Sequence, residues 1–81
     1  MITAICFINT TPAHISSAGN LIAQIDGVRS VYSVTGKIDL VAIIEVADHD
    51  QVASVVADQL GKIDGVTSTE THIAFRTYDK R

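Results

Sequence analysis

A chain of 81 residues has room for one domain, and a domain of that size buries only about 60 to 65% of the surface its unfolded form exposes, which leaves it marginal alone. Nine acidic against six basic side chains, a formal net charge of −3 with no run of either sign, exclude the basic footprint of a nucleic-acid binder and a polybasic membrane patch. A single cysteine, Cys6, cannot close an internal disulfide, and the opening Met1-Ile2-Thr3-Ala4-Ile5-Cys6 has no charged leader and too short an apolar run to cross a membrane; the expectation is a soluble protein of the cytoplasm.

The first strand is predicted over residues 2–9, with Ile2, Ala4, Cys6 and Ile8 on one side and Ile5 and Phe7 on the other. Both faces are apolar, so both should be covered. Thr10-Thr11-Pro12 then opens a helix, with Thr11 as N-cap and Pro12 at the first helical position, where its missing N–H costs nothing. Ile15, Ala18, Leu21, Ile22 and Ile25 recur at helical spacing and form one stripe that ends before Asp26-Gly27. Gly19 weakens this helix by about 0.5 to 1 kcal/mol relative to alanine, unless its bare backbone serves close packing.

The stretch 28–47 organises the rest. It reads as a hairpin around Thr35-Gly36-Lys37-Ile38-Asp39, where Gly36 can take the positive φ of a reversal. Its first arm alternates Val28, Ser30, Tyr32 and Val34 against Arg29, Val31, Ser33 and Thr35, and belongs near the rim of a sheet. Residues 40–46 are aliphatic until Glu45, which suits a central strand.

Asp48-His49-Asp50-Gln51 marks the second helix, with Asp48 as N-cap, Gln51 closing a capping box and Asp50 at the positive end. Val52, Val55, Val56 and Leu60 form its buried stripe, and Gly61 stops it; valines are moderate helix formers, so tertiary packing must hold the segment. After the turn Ile63-Asp64-Gly65-Val66 the last strand is predicted over 66–75, reaching at most to Tyr78. Thr67, Thr69, Thr71, Ile73 and Phe75 lie opposite Ser68, Glu70, His72 and Ala74, a polar composition that fits an edge. Asp79-Lys80-Arg81 reads as a frayed end.

Ile25-Asp26-Gly27-Val28 recurs as Ile63-Asp64-Gly65-Val66, each time between a helix and a strand. Two β-α-β halves result, and right-handed crossovers put both helices on one face of an antiparallel sheet, the α+β ferredoxin-like β-α-β-β-α-β arrangement. The other face would be bare and apolar, which a homodimer through the sheet or its edge would cover.

Chemistry-bearing clusters are sparse. His14, His49 and His72 lie on different elements, and the consecutive side chains of Asp48-His49-Asp50 point in different directions, so no metal is expected. Cys6 has no neighbouring base, Gly36, Gly61 and Gly65 are separate turn residues, and Asp26 and Asp64 belong to Asp-Gly turns. Tyr32 and Phe7 lack the surrounding basic residues that stacking on nucleic acid needs. No cofactor is expected.

Gly27-Val28, then Val34-Thr35-Gly36-Lys37-Ile38-Asp39-Leu40, then Gly65-Val66-Thr67-Ser68-Thr69-Glu70-Thr71 resemble the effector-binding domain of the Lrp/AsnC family, the RAM domain, across essentially the whole chain. The resemblance implies one ligand-binding and oligomerisation domain over residues 1–81 that dimerises through its sheet, assembles further as dimers, and binds a small molecule such as an amino acid between dimers. Carried onto these residues, Gly36 shapes the loop, Asp39 orients it or meets a ligand ammonium group, and Lys37, Ile38, Thr69 and Thr71 lie at the same interface. The helix-turn-helix domain of full-length relatives has no counterpart in these residues, so the expectation is a sensor that acts by co-assembly with full-length regulators and does not bind DNA itself. Lys37-Ile38 stands where many relatives carry an acidic or small polar residue and then an aromatic one, which implies a pocket for an acidic group, or its loss. Two other readings stay open: a small dimeric ferredoxin-like enzyme of monooxygenase or isomerase type, and a structural interaction module.

Overall fold

Four strands, β1 (Ile2–Thr10), β2 (Val28–Ser33), β3 (Leu40–Val46) and β4 (Val66–Ala74), pair antiparallel in the order β2-β3-β1-β4 in a computed structural model that describes residues 1–80. Helices α1 (Ile15–Ala23) and α2 (His49–Ala53) complete the ferredoxin-like β-α-β-β-α-β arrangement, and the repeated Ile-Asp-Gly-Val stands at the matching junction of each half. As expected, β3 is internal and β2 and β4 are edges.

Alternation in β1 decides the two layers. Ala4, Cys6, Ile8 and Thr10 are buried and share a core with Ala18 and Ile22 of α1, Leu40, Ala42, Ile44 and Val46 of β3, and Val52, Val55 and Leu60. Ile5 and Phe7 point the other way, paired with Ile43 and Val41 across β3, so the second face carries a half-buried aliphatic and aromatic centre. Its margin is polar: Arg29 and Glu45 form an ion pair at 3.2 Å, and Glu70 meets His72 Nε2 at 2.6 Å, with the His72 ring edge-on to Phe7.

The strict alternation expected for β2 does not hold. The register steps from Val28↔Ile44 to Ser30↔Ile43, so Arg29 is the extra residue of a bulge, and Val28 joins the helix-covered face instead of sharing a side with Ser30 and Tyr32. The same device recurs in β4, where Val66 pairs with Thr10 and Ser68 with Asn9, leaving Thr67 extra. Each repeat therefore turns its valine into the core and then resets the strand. Gly27 and Gly65, at φ +99° and +93°, make these turns possible; a Cβ on Gly27 would come 2.8 Å from Val46 Cγ1, and one on Gly65 would run into the His14 side chain.

The helices differ from expectation in detail. Thr11 stands extended before a 3₁₀ turn (Pro12–His14), but its hydroxyl engages His14 Nδ1 at 2.7 Å rather than capping a backbone amide. Leu21 is 53% exposed, although it fits the apolar period, because one residue step turns it about 100° from Ile22, which faces the sheet. At α2, Asp48 accepts from the Gln51 amide at 2.9 Å, while Gln51 Oε1 accepts from Ala47, one residue before the position a capping box uses. Beyond Ala53 the helix widens into a π-type segment (Ser54–Gln59) and tightens into a 3₁₀ turn (Leu60–Lys62), so Gly61 lies inside a turn rather than stopping a regular helix. The five-residue step from Val55 to Leu60 explains the widening, since an i→i+5 turn brings both to the core. The last strand ends at Ala74, short of Phe75. Arg81 of the expected frayed end lies outside the described residues.

Candidate functional site

Residues 34–39 connect β2 to β3 and are built against the end of β1. The Val34 amide donates to the Asp39 carbonyl at 3.1 Å, and the Asp39 amide donates to the Ile8 carbonyl at 3.1 Å. Past Ile8 the β1–β3 ladder has ended, and the Asp39 side chain extends it by one bond: Oδ2 accepts from the Thr10 amide at 2.9 Å. A carboxylate acceptor strengthens such a bond relative to a neutral one. Asp39 is therefore a loop organiser, with Oδ1 left without a hydrogen-bond partner among the described residues.

Around it, Gly36 takes φ +102° with nothing within 4 Å of where a Cβ would stand, so its glycine answers to conformation and not to crowding. Lys37 is exposed and makes no ion pair among the described residues; Ile38 is half-buried. Thr69 pairs with Ile8 from the opposite side of β1, where Ile8 also pairs with Leu40, so the loop and Thr69 flank the same strand end about 9 to 10 Å apart. Thr71 lies two pairs further in, opposite Cys6, and its hydroxyl donates to Cys6 Sγ at 3.4 Å. Burial pushes the Cys6 thiol upward from its ordinary 9.0, against the lowering effect of that hydrogen bond. Thus Gly36, Lys37, Ile38, Asp39 and Thr69 are gathered at one end of the sheet, and Thr71 is turned toward the core.

Thr10 joins this group unannounced by any pattern in the sequence. It is only 8% exposed, and its Oγ1 has no partner within the described residues, beside an amide that Asp39 already holds. Buried hydroxyls are rarely left unpaired.

None of these residues lines either of two open clefts, although Ser33 and Leu40, at the two ends of the loop, border the second. One, of about 420 Å³, sits at the other end of the sheet between the turn at Asp26-Gly27, the end of β3 and the helical segment 49–59; the other, of about 280 Å³, lies between α1 and β2. Between the helices and the sheet, Cys6, Ile8, Ile22, Ile44 and Leu60 are fully buried. No group of three or more His, Cys, Asp or Glu among the described residues is placed to hold a metal ion, and none of their helices is long and apolar enough to cross a membrane.

A family model described as the Lrp/AsnC ligand binding domain matches residues 3–81. Among solved structures, the chain is similar to TTHA0845 of Thermus thermophilus, with a TM-score of 0.93 and 39% identity over 99% of this chain and 100% of that one. It is similar in fold to AsnC of E. coli, at TM-score 0.90 and 22% identity, over 99% of this chain and 54% of that one. A third similar fold is the transcriptional regulator NMB0573 of Neisseria meningitidis in complex with L-Met, at TM-score 0.82 and 16% identity, over 98% of this chain and 53% of that one. The chain thus spans about half the length of these two regulators. No match was found among curated proteins.

Proposed function

The chain belongs to the Lrp/AsnC ligand binding domain family, and from that premise we propose that it is an oligomeric sensor of amino acids or related small metabolites, with its ligand seated between dimers beside residues 36–39. The observation that carries this reading is the match to a ligand-binding domain over residues 3–81. Dimers form through the open face of the sheet, where Ile5, Phe7, Val41 and Ile43 meet a second copy and leave water. Neighbouring dimers then meet at the hairpin loops.

In this reading Asp39 has two tasks on two oxygens. Oδ2 holds the loop against β1 through the Thr10 amide, and Oδ1 meets the ligand ammonium group. Lys37 faces a ligand carboxylate, Gly36 and Ile38 shape the wall, and the exposed hydroxyl of Thr69 supplies a hydrogen bond. Thr71 acts from behind, through Cys6. The complex of NMB0573 with L-Met supports an amino acid as the ligand class. The sensor works in the cytoplasm and modulates full-length regulators by co-assembly, leaving DNA contact to them.

Native mass spectrometry with sedimentation, with and without a pool of the twenty amino acids, tests the proposal. Multimers that retain a small adduct, weakened by Asp39→Ala, are expected. A monomer that ignores the whole pool would overturn both assembly and site.

A further inference from the structure

On the open face of the sheet, β4 presents Glu70 and His72, paired with Phe7 and Ile5 of β1. Two residues apart on one strand, both side chains point the same way, and His72 Nε2 meets Glu70 Oε2 at 2.6 Å. The His72 ring also stands edge-on to Phe7, with centroids 5.5 Å apart at 77°. Two contacts thus fix the imidazole between a carboxylate and the apolar centre of the face. In a single copy water screens the pair, since the His72 and Glu70 side chains are 57% and 73% exposed.

Histidine is the side chain whose charge ordinarily changes between about pH 5 and 8. An ionised carboxylate only accepts, so neutral His72 carries its proton on Nε2 and leaves the charge of Glu70 uncancelled, whereas protonated His72 cancels it. The rest of the face has no compensating charge to spare. β1 brings no titratable side chain to it, β3 brings Glu45, and β2 brings Tyr32 and Arg29, whose guanidinium is taken up by Glu45 at 3.2 Å. Beyond the strands, the Met1 ammonium precedes Ile5 by four residues and Arg76 follows His72 by four. Four residues of extended chain span about 13 Å, past the screening length of about 10 Å at 0.1 M salt. Among the described residues, each open face therefore carries one net negative charge when His72 is neutral and none when it is protonated.

Given the sheet-face dimer of the proposed function, on which this rests, we propose that His72 and Glu70 make the association proton-linked: two copies close with His72 protonated and part as it loses its proton. Packed sheets lie about 10 Å apart, so a second copy over Ile5 and Phe7 also takes water from the neighbouring ring and carboxylate. An ion pair enters such a surface as a neutral unit, but a lone carboxylate is costly to cover, and a two-fold pair covers two of them. The dimer thus binds more protons than two separate copies, up to one extra per chain. Association tightens as pH falls and weakens as pH rises. His14 and His49 belong to the helical layer, across the sheet, and take no part.

Sedimentation equilibrium of the full chain between pH 5.5 and 8, at fixed ionic strength, reads the linkage. The dimer dissociation constant should rise about tenfold across that range. His72→Gln should flatten the profile, while His14→Gln with His49→Gln leaves it in place. Glu70→Gln should reverse it, because protonation of His72 then adds a charge instead of cancelling one. These side chains are on the surface, so the circular-dichroism melt of each variant should be retained. A dimer that Ile43→Arg disrupts but that is equally tight at both ends of the range, or a slope that survives His72→Gln, would overturn the linkage and leave the sheet-face dimer standing. A monomer at every pH would overturn both.

Discussion

Replacing Asp39 separates the two tasks assigned to its carboxylate. In Asp39→Ala the Thr10 amide loses its 2.9 Å acceptor at a residue that is only 8% exposed. A buried donor left unpaired costs about 1 to 3 kcal/mol, so urea unfolding at equilibrium should show a loss in that range at unchanged m-value. Asp39→Asn retains an oxygen in the same place and exchanges a charged acceptor for a neutral one, which should cost under about 1 kcal/mol. The asparagine variant should nonetheless bind an amino acid at least tenfold more weakly, because the charge facing the ammonium group is gone. Equal destabilisation by alanine and asparagine, or no destabilisation by either, would refute the view that the Thr10 bond holds the loop.

Gly19→Ala should stabilise the chain by about 0.5 to 1 kcal/mol in the same urea assay, since a Cβ there makes an ordinary 3.6 Å contact with Leu40 Cδ2 and α1 gains a better helix former. Gly65→Ala should cost at least about 1 to 3 kcal/mol, because φ +93° and the collision with His14 both oppose it; a melting temperature equal to that of the parent would contradict the close turn. Burial holds the Cys6 thiol above its ordinary 9.0, so the folded state favours the neutral form. Its contribution is fully present below 9.0 and is lost as pH rises through the raised folded value, whereas Cys6→Ala should remove that part of the alkaline slope in a stability–pH series.

The strand order, the central place of β3 and the two-layer core were legible because period-2 patterns and crossover handedness leave few alternatives once β-α-β-β-α-β is recognised. The bulges at Arg29 and Thr67 were hidden, since they depend on the partner strand's register and not on the residues of the bulged strand. Leu21 fits a helical period that carries no information on how narrow an arc the sheet covers. The spacing from Val55 to Leu60 held the signal for the π-type segment, but an assumed α period masks a single five-residue step. At the site, Gly36 could be placed from the sequence, since a positive φ is a local demand. The tie between Asp39 and Thr10, 29 residues apart, and the unpaired Thr10 hydroxyl arise only when β1 and β3 pair.

The most direct test of the sensor reading is amide chemical-shift mapping of the full chain by ¹H–¹⁵N NMR during titration with the twenty amino acids. The account predicts saturable shifts from one or a few of them, concentrated at residues 34–39, Thr10 and Thr69. No saturable shift from any amino acid, or shifts that spare this end of the sheet altogether, would contradict it.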